Sequence, residues 1–403
     1  MSIQIGIGFS QEANISEAAI KAASQARDQI YFQNKELAKP PPIDLAIVFN
    51  TIHYNPLETL LNIRKVLPQV KIIGCSTAGI ILSDFISLRG IGVLAISSDE
   101  MKFGIAAIPD LKTQDLRQAG ITLAKNVMAD LGLHRRAAFI MLMDGLFNIS
   151  SPIIKGLHEI LGNVFPIFGA GSSDDFHFRR TFQYFQDKYL SNAAVGLLLG
   201  GQIKVGYSCK HGWKPLGKPR FINQVEDHII RSIENKTAIQ LYREYFPDEV
   251  KNLKLSPLGQ LTTHYPLGIY IEEEKEYILR NAVDILPDGS IVCQGEIPEN
   301  SEVHIMIGNK ESCRQAAAEA AMEARASLQG RPPKFALIFE GIGRLKMQSR
   351  FAFKEIQAIK GILGNNTPIF GMYSHGEIAP LKSEENIRKT HFHNESIIIL
   401  TIG

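Results

Sequence analysis

The sequence predicts a two-domain α/β protein whose mixed, largely parallel sheets are built from three copies of one strand-helix-strand-helix-strand-strand unit. Three observations carry this. An apolar run ending in Gly and followed by small polar residues occurs three times, as Pro68 to Gly79 (PQVKIIGCSTAG), Phe165 to Asp175 (FPIFGAGSSDD) and Thr367 to Glu377 (TPIFGMYSHGE). Each is preceded by a fully apolar, strand-like run: LAIVFN from Leu45, AAFIMLMDG from Ala137 and FALIFEG from Phe335. The gap between the two runs has room for one helix, and near-continuous apolar strands separated by helices mark sheets covered on their faces.

The remaining elements follow in chain order. Each copy begins with a strand and a long helix: IQIGIGF then Ser16 to Tyr31, KFGIAAI then Asp115 to Leu131, and VHIMIGN then Glu311 to Leu328. The third helix is the clearest, because CRQAAAEAAMEARASL combines strong helix formers with apolar positions at helical spacing. A closing strand ends each copy, GIGVLAI from Gly90, AAVGLLLG from Ala193 and SIIILTIG from Ser396. Residues 201–300 do not fit the unit. They read as the segment GWKPLGKPRF, a charged helix-like stretch HIIRSIENKTAIQLYREYF, and strands up to Cys293. The domains are expected at 1–215, holding two units, and 216–403, holding the crossover segment and the third.

Composition narrows function. Hydrophobic residues are 45% and charged residues 21% of 403, which suits a folded chain with sizeable cores. A formal charge of +2, from 43 Lys and Arg against 41 Asp and Glu, gives no grip on a phosphate backbone, so nucleic acid is not expected as a partner. The four cysteines, Cys75, Cys209, Cys293 and Cys313, lie far apart without C-x-x-C spacing, which argues against zinc, a redox pair or covalent haem. The start lacks a basic segment before an apolar core, and no apolar run is long enough for a bilayer; a cytoplasmic protein without membrane contact is expected.

The three Gly-ended turns are the leading site candidates, because α/β sheets bind ligands beyond the carboxyl ends of their parallel strands. Gly74, Gly169 and Gly371 would let the chain turn sharply or let backbone amides approach a ligand. The turns bring polar groups: Ser76 and Thr77; Ser172, Ser173, Asp174 and Asp175, with Arg180 just beyond; and Tyr373, Ser374, His375 and Glu377. Turn preference alone accounts for a single such Gly or Asp pair, but the repetition points to one shared polar site. Ser374, His375 and Glu377 are of the types that make a nucleophile, base and orienting group, yet neighbours in sequence rarely converge and no G-x-S-x-G elbow is present. The segment His211 to Gly217 carries the one Trp, Trp213, which either walls a pocket beside His211 or staples the crossover to the core. His391 and His393 share one side of a strand, with no third metal ligand at a recognisable spacing. No phosphate-binding P-loop or dinucleotide fingerprint is present.

Taken together, IIGCSTAGI, GSSDDFHFRRTFQYF with AAVGLLLGG, the crossover HGWKPLG, and the terminal IFGMYSHGEIAP with HNESIIIL resemble the FIST proteins, in which an N-terminal FIST domain is paired with a C-terminal one. The resemblance covers essentially the whole chain. It implies a non-catalytic intracellular sensory protein that binds a small ligand, amino acids among the candidates, and signals through a separate histidine kinase or GGDEF/EAL-type protein. Some members of this length bind haem and sense nitric oxide, so non-covalent haem b is the candidate cofactor. His211 is then the first choice of iron ligand and His375 the second. Without haem, Ser374, Glu377, Arg344 and Asp175 suit an amino acid by type, guanidinium to carboxylate and carboxylate to ammonium. A Cys-x-Gly-Arg pattern of many members reads Glu340-Gly341-Ile342-Gly343-Arg344 here, which keeps Arg344 and loses the Cys. The enzyme alternative is a hydrolase using Ser374 or Cys75.

Overall fold

A computed structural model describes all residues except 1–2, 148–149, 176, 252–260, 263 and 382–388. The three units are present and carry the same strand order. Unit one runs strand Gln4–Ser10, helix Ile15–Gln33, strand Leu45–Thr51, helix Pro56–Val66, strand Lys71–Thr77, a short hairpin over Ile80–Leu82 and Ile86–Ser87, and closing strand Ile91–Ser97. Unit two repeats this from Met101–Ile108 to Ala194–Gly201, with its hairpin at Gln183–Phe185 and Lys188–Leu190. Unit three ends in strand Ile369–Ser374, hairpin Glu377–Pro380 and Thr390–His393, and closing strand Ile397–Ile402.

Helix starts are written locally. Asn14, Asn55 and Asp115 each accept a hydrogen bond from the amide three residues on, and Asn309 forms a capping box with Ser312, contacts worth about 1 kcal/mol each.

Each six-stranded sheet runs first strand, closing strand, central strand, Gly-bearing strand, then a hairpin lent by another unit. The loans form a ring. The hairpin of unit one pairs with Ile369–Ser374 of unit three, that of unit three with Ile167–Ser172 of unit two, and that of unit two with Lys71–Thr77 of unit one. The inner faces of all three sheets meet in one core that includes Phe49, Ile73, Ile140, Phe168, Phe339, Phe370 and Leu400. There the rings of Phe49 and Phe370 stack with centroids 5.0 Å apart. Helices cover the outer faces, each over its own smaller apolar cluster.

The α/β class, the mixed sheets and the two-domain organisation agree with expectation, but among the described residues parallel pairing is confined to one pair per unit. Helices join the first strand to the central strand and the central strand to the Gly-bearing one, but only the latter two are direct neighbours in the sheet. The closing strand returns from the far side and pairs antiparallel with the central strand.

Two expectations about the third unit need correction. Its first strand is Val205–Lys210, which pairs with Ile397–Ile402, and not VHIMIGN, whose strand Glu302–Ile307 pairs with Lys214–Glu226 and Leu267–Ile271 in a separate antiparallel sheet. This sheet is inserted between the third unit's first strand and helix Lys310–Ser327. Positions 215 and 216, between which the two domains are expected to divide, both lie in the strand Lys214–Glu226. The stretch read as a charged helix is strand Ile229–Ile233, a turn with Glu234 and Asn235 in the left-handed region, short strand Lys236–Thr237, and only then helix Ile239–Tyr245.

The repeated glycines have one structural cause. Gly74, Gly169 and Gly371 sit opposite Val48, Met141 and Ile338 at the same register of the parallel pair in each unit. A Cβ there would lie 1.9, 2.0 and 2.4 Å from the partner's carbonyl oxygen. They permit close approach of two strands inside the sheet, and not the sharp turn or the ligand-facing amides expected from sequence.

Candidate functional site

The Gly-bearing strands end at one place, because the exchanged hairpins draw the three sheets together there. Ser173 N–H donates to the carbonyl of Ser76 (3.0 Å), and Ser173 Oγ donates to the carbonyl of Tyr373 (2.5 Å) while accepting from Ala78 N–H (2.9 Å). Thr77 Oγ1 lies 2.8 Å from the same Tyr373 carbonyl, and Ser76 Oγ accepts from Phe182 N–H (3.2 Å). Units two and three are tied by a reciprocal backbone pair, His375 N–H to Gly171 O (3.0 Å) and Gly171 N–H to Gly376 O (2.8 Å). Ser76, Thr77, Ser172, Ser173, Asp174, Tyr373, Ser374, His375 and Glu377 are all buried.

At this junction His375 Nε2 is 3.3 Å from Asp174 Oδ1 and 3.2 Å from the Asp174 amide nitrogen. Burial alone would raise the Asp174 pKa. The contact with His375 and the amides of Arg179 (2.7 Å) and Phe178 (2.9 Å) outweigh it and hold the carboxyl well below the usual range. Asp174 thereby folds the following segment over the junction. The Phe178 ring lies edge-on to His375 with centroids 4.4 Å apart and is 55% exposed on its outer side. Around it stand His177, 3.6 Å from the half-buried Asp175, and exposed Arg179 and Arg180; among the described residues neither guanidinium has a carboxylate partner. The structure therefore offers a closed polar floor and an open rim of Asp175, His177, Phe178, Arg179 and Arg180.

Several supporting residues escaped the sequence reading. Asp144 accepts from Thr181 Oγ1 (2.7 Å), Leu146 N–H (2.9 Å) and Asn192 N–H (3.0 Å), fixing the rim segment where it ends at Thr181. Gln294 of the inserted sheet donates to the His375 carbonyl (2.8 Å) and accepts from Asn394 (3.1 Å). Asn281 of the same region donates to the buried carboxylate of Glu395 (2.6 Å). An Asp just after an apolar strand was the one available signal for Asp144; the others are brought in by the insertion and leave no local pattern.

Other expected site residues are engaged elsewhere. The Arg344 guanidinium is fully buried, paired with Glu355 (2.5 Å) and Glu340 (3.3 Å), and donates to the carbonyls of His211 (2.5 Å) and Cys313 (2.9 Å). It has no face left for a ligand carboxylate. Ser374 Oγ donates to Glu377 Oε1 (2.7 Å), and Glu377 Oε2 accepts from Ser396 N–H (3.0 Å), so that pair braces the turn from below. Burial pushes the Glu377 carboxyl well up. Tyr373 is a core residue whose phenol is raised first by burial and then by the nearby carboxylates of Glu340 and Glu355.

No Ser374-His375-Glu377 array forms, because His375 turns to Asp174 and Ser374 to Glu377. Cys75 is fully buried against Met372, and burial raises its thiol pKa, the opposite of an activated nucleophile.

His211 also departs from expectation. Its Nδ1 accepts from Trp213 N–H (2.9 Å) and a second ring contact goes to the Tyr277 backbone, while burial lowers its pKa to about 4. Trp213 packs with Leu279, Met306 and Cys313, and its indole N–H donates to the His264 carbonyl (3.2 Å), so it is a packing staple. With its ring nitrogens engaged, His211 does not fit an iron ligand, and His375 Nε2 is turned to Asp174. His391 contacts Glu274 (2.7 Å) and His393 the Ala379 carbonyl (3.0 Å), and among the described residues no group of three or more His, Cys, Asp or Glu is placed to hold a metal.

Comparison with known proteins bears on both halves. The profile of the FIST N domain matches residues 44–236 and that of the FIST C domain residues 238–380. Two uncharacterized proteins of Mycobacterium tuberculosis, one from strain CDC 1551 / Oshkosh and one from strain ATCC 25618 / H37Rv, are each 22% identical over 393 residues, covering 94% of this chain and 95% of theirs. Among solved structures, a cyanuric acid hydrolase from A. caulinodans aligns over 100% of this chain and 99% of its own, at 9% identity and a TM-score of 0.39. Phosphoribosylformylglycinamidine synthase II from Thermotoga maritima aligns over 100% and 72%, at 9% and 0.23. Both scores are too low to carry an argument about this chain. Among the described residues no helix is long and apolar enough to cross a membrane.

Proposed function

Because this chain belongs to the FIST family, with an N and a C domain in order, we propose that it is a cytoplasmic, non-catalytic sensor whose small ligand binds at the rim over the three joined strand ends. FIST domains are sensory, small-ligand-binding domains of signalling proteins. The observation that carries the placement is the Asp174–His375 contact. It locks units two and three together directly beneath a segment whose Phe178, Arg179 and Arg180 are exposed. The reading is an amino acid or similar small carboxylate, its anion on Arg179 or Arg180 and an ammonium on Asp175, with Phe178 beneath the carbon skeleton. Arg344, Ser374 and Glu377 take structural roles in this reading.

Output goes through a separate protein, a histidine kinase or a GGDEF/EAL-type enzyme. The inserted sheet is the natural relay, since Gln294 holds the carbonyl of His375 itself. Ligand binding shifts signalling only to the extent that it favours one arrangement of this contact over another.

The test is a thermal-shift screen of amino acids and small carboxylates on the purified protein, repeated on Phe178→Ala and Arg180→Ala. A ligand that raises the wild-type melting temperature and loses its effect in the variants supports the placement; a stabilising ligand indifferent to both overturns it. A haemin titration decides the cofactor. In this reading it gives no sharp Soret band at one haem per chain, and His211→Ala leaves the spectrum unchanged.

A further inference from the structure

Away from the rim, a second arrangement of charge has no explanation in the fold. Lys310, Arg350 and Lys354 come from three different elements: the first residue of helix Lys310–Ser327, the turn Ser349–Phe351, and the second residue of helix Phe353–Leu363. All three converge on the ring of Phe351, each cation 4.9 Å from its centroid. The elements are held in place by Gln348, whose amide donates to the Lys310 carbonyl (2.8 Å).

This grouping is electrostatically unfavourable on its own. Three like charges share one ring, and both lysines stand at helix N-termini, where the peptide dipoles already present positive potential. The helix Phe353–Leu363 has no side-chain cap and runs on directly from the turn Ser349–Phe351, with Ala352 N–H donating to the Ser349 carbonyl (3.1 Å). Among the described residues none of the three cations is paired with a carboxylate. The acids of the two first turns are committed elsewhere, Glu311 to Arg314 and Glu355 to Arg344 in the interior. The three side chains are exposed, so burial does not force them together.

We propose that this cluster is a binding site for a phosphoryl group, separate from the rim ligand. A tetrahedral oxyanion has enough oxygens to meet three cations at once, and its charge converts their repulsion into attraction. Contact with the aromatic ring holds the cations close together before the anion arrives. A nucleic-acid backbone would need a longer basic track than three residues in a chain of net charge +2.

The site is linked to the joined strand ends. Glu355, next to Lys354, holds Arg344; Arg344 holds Glu340; and the Glu340 carbonyl lies 3.2 Å from Ser374 Oγ. A phosphoryl group docked here meets Lys354, one residue before the buried Glu355 that begins that chain. Its source is either a free phosphate compound or a phosphorylated side chain of a protein partner.

The test uses the full chain and isothermal titration with inorganic pyrophosphate, a phosphoserine peptide and the same peptide unphosphorylated. The comparison is Lys310→Ala/Arg350→Ala/Lys354→Ala. Wild type binds one or both phosphate probes and not the plain peptide, and the triple variant binds them about tenfold more weakly or worse, the usual effect of removing charge-assisted hydrogen bonds. Tighter binding of the phosphopeptide assigns the source to a partner side chain; tighter binding of pyrophosphate assigns it to a free compound. The variant's melting temperature stays level or rises, because repulsion is relieved. Absence of phosphate binding to wild type at millimolar concentration, equal binding by the variant, or a lower melting temperature overturns the proposal. No rim ligand enters the experiment, so its outcome is independent of the sensory reading.

Discussion

Replacing Arg344 with Met removes the one guanidinium that neutralises Glu340 and Glu355 while keeping a side chain of similar length. Both carboxylates are fully buried, and they would face each other with no cation between them. Breaking a buried ion pair from one side costs about 3 to 5 kcal/mol, and the carbonyls of His211 and Cys313 lose their donors, adding roughly 1 kcal/mol each. The expected loss, about 5 to 7 kcal/mol, is comparable to the entire stability of a marginal domain. Its pH dependence has a definite sign. Burial already holds the Glu340 carboxyl far above its ordinary value of 4.5, so the penalty is largest at neutral and alkaline pH and shrinks toward that value. Urea unfolding at about pH 8 and about pH 5 measures it. A loss below about 1 kcal/mol at the higher pH, or one that does not change with pH, refutes the structural role of Arg344. Loss of ligand binding with unchanged stability would return Arg344 to the ligand site.

Further outcomes are expected elsewhere. Burial raises the Glu395 carboxyl from 4.5 to about 7, so wild type loses roughly 3 kcal/mol as pH rises between those values. Glu395→Gln removes that slope from the stability profile, and a parallel profile in the variant contradicts the assignment. Asp174 lies on the other side of its ordinary 3.8, so its stabilisation is present above that value and is lost as pH falls through the lower folded one. Asp174→Asn therefore destabilises by about 2 kcal/mol at neutral pH, and the gap to wild type closes in acid, as urea titration would show. Gly169→Ala places a Cβ 2.0 Å from the Met141 carbonyl and costs about 3 kcal/mol or more, whereas Gly361→Ala, with open space in a helix, gains up to about 1 kcal/mol. Equal melting temperatures for the two glycine variants would refute the close-approach explanation.

Much of this architecture was legible because its signals are local and repeated. Three apolar strand pairs with Gly at one register, and helices such as CRQAAAEAAMEARASL, carry period and composition on their face. The exchange of hairpins was not legible. Ile80–Leu82 finds its partner nearly 300 residues away, at Met372, Gly371 and Phe370, and no property of a three-residue apolar strand specifies which edge it joins. The first strand of unit three was misplaced for a related reason. VHIMIGN lies next to its helix in sequence as in the other units, while Val205–Lys210 is separated from that helix by the inserted sheet. At the site, repetition located the strand ends, but side-chain direction decided the chemistry. Ser374, His375 and Glu377 look like a functional trio in sequence, yet His375 reaches a partner in unit two while Ser374 and Glu377 face inward. Arg344 and His211 carried no sign of burial, since an Arg at helical spacing from a Glu reads equally as a surface pair.

The central claim is that a small ligand is sensed where the three strand ends meet. Amide hydrogen exchange, with and without the ligand that emerges from the thermal-shift screen, tests it most directly. The account predicts that exchange slows together over residues 177–182 and 373–378, and at Gln294 in the inserted sheet. Protection confined to other surfaces, with these two segments unchanged, would contradict it.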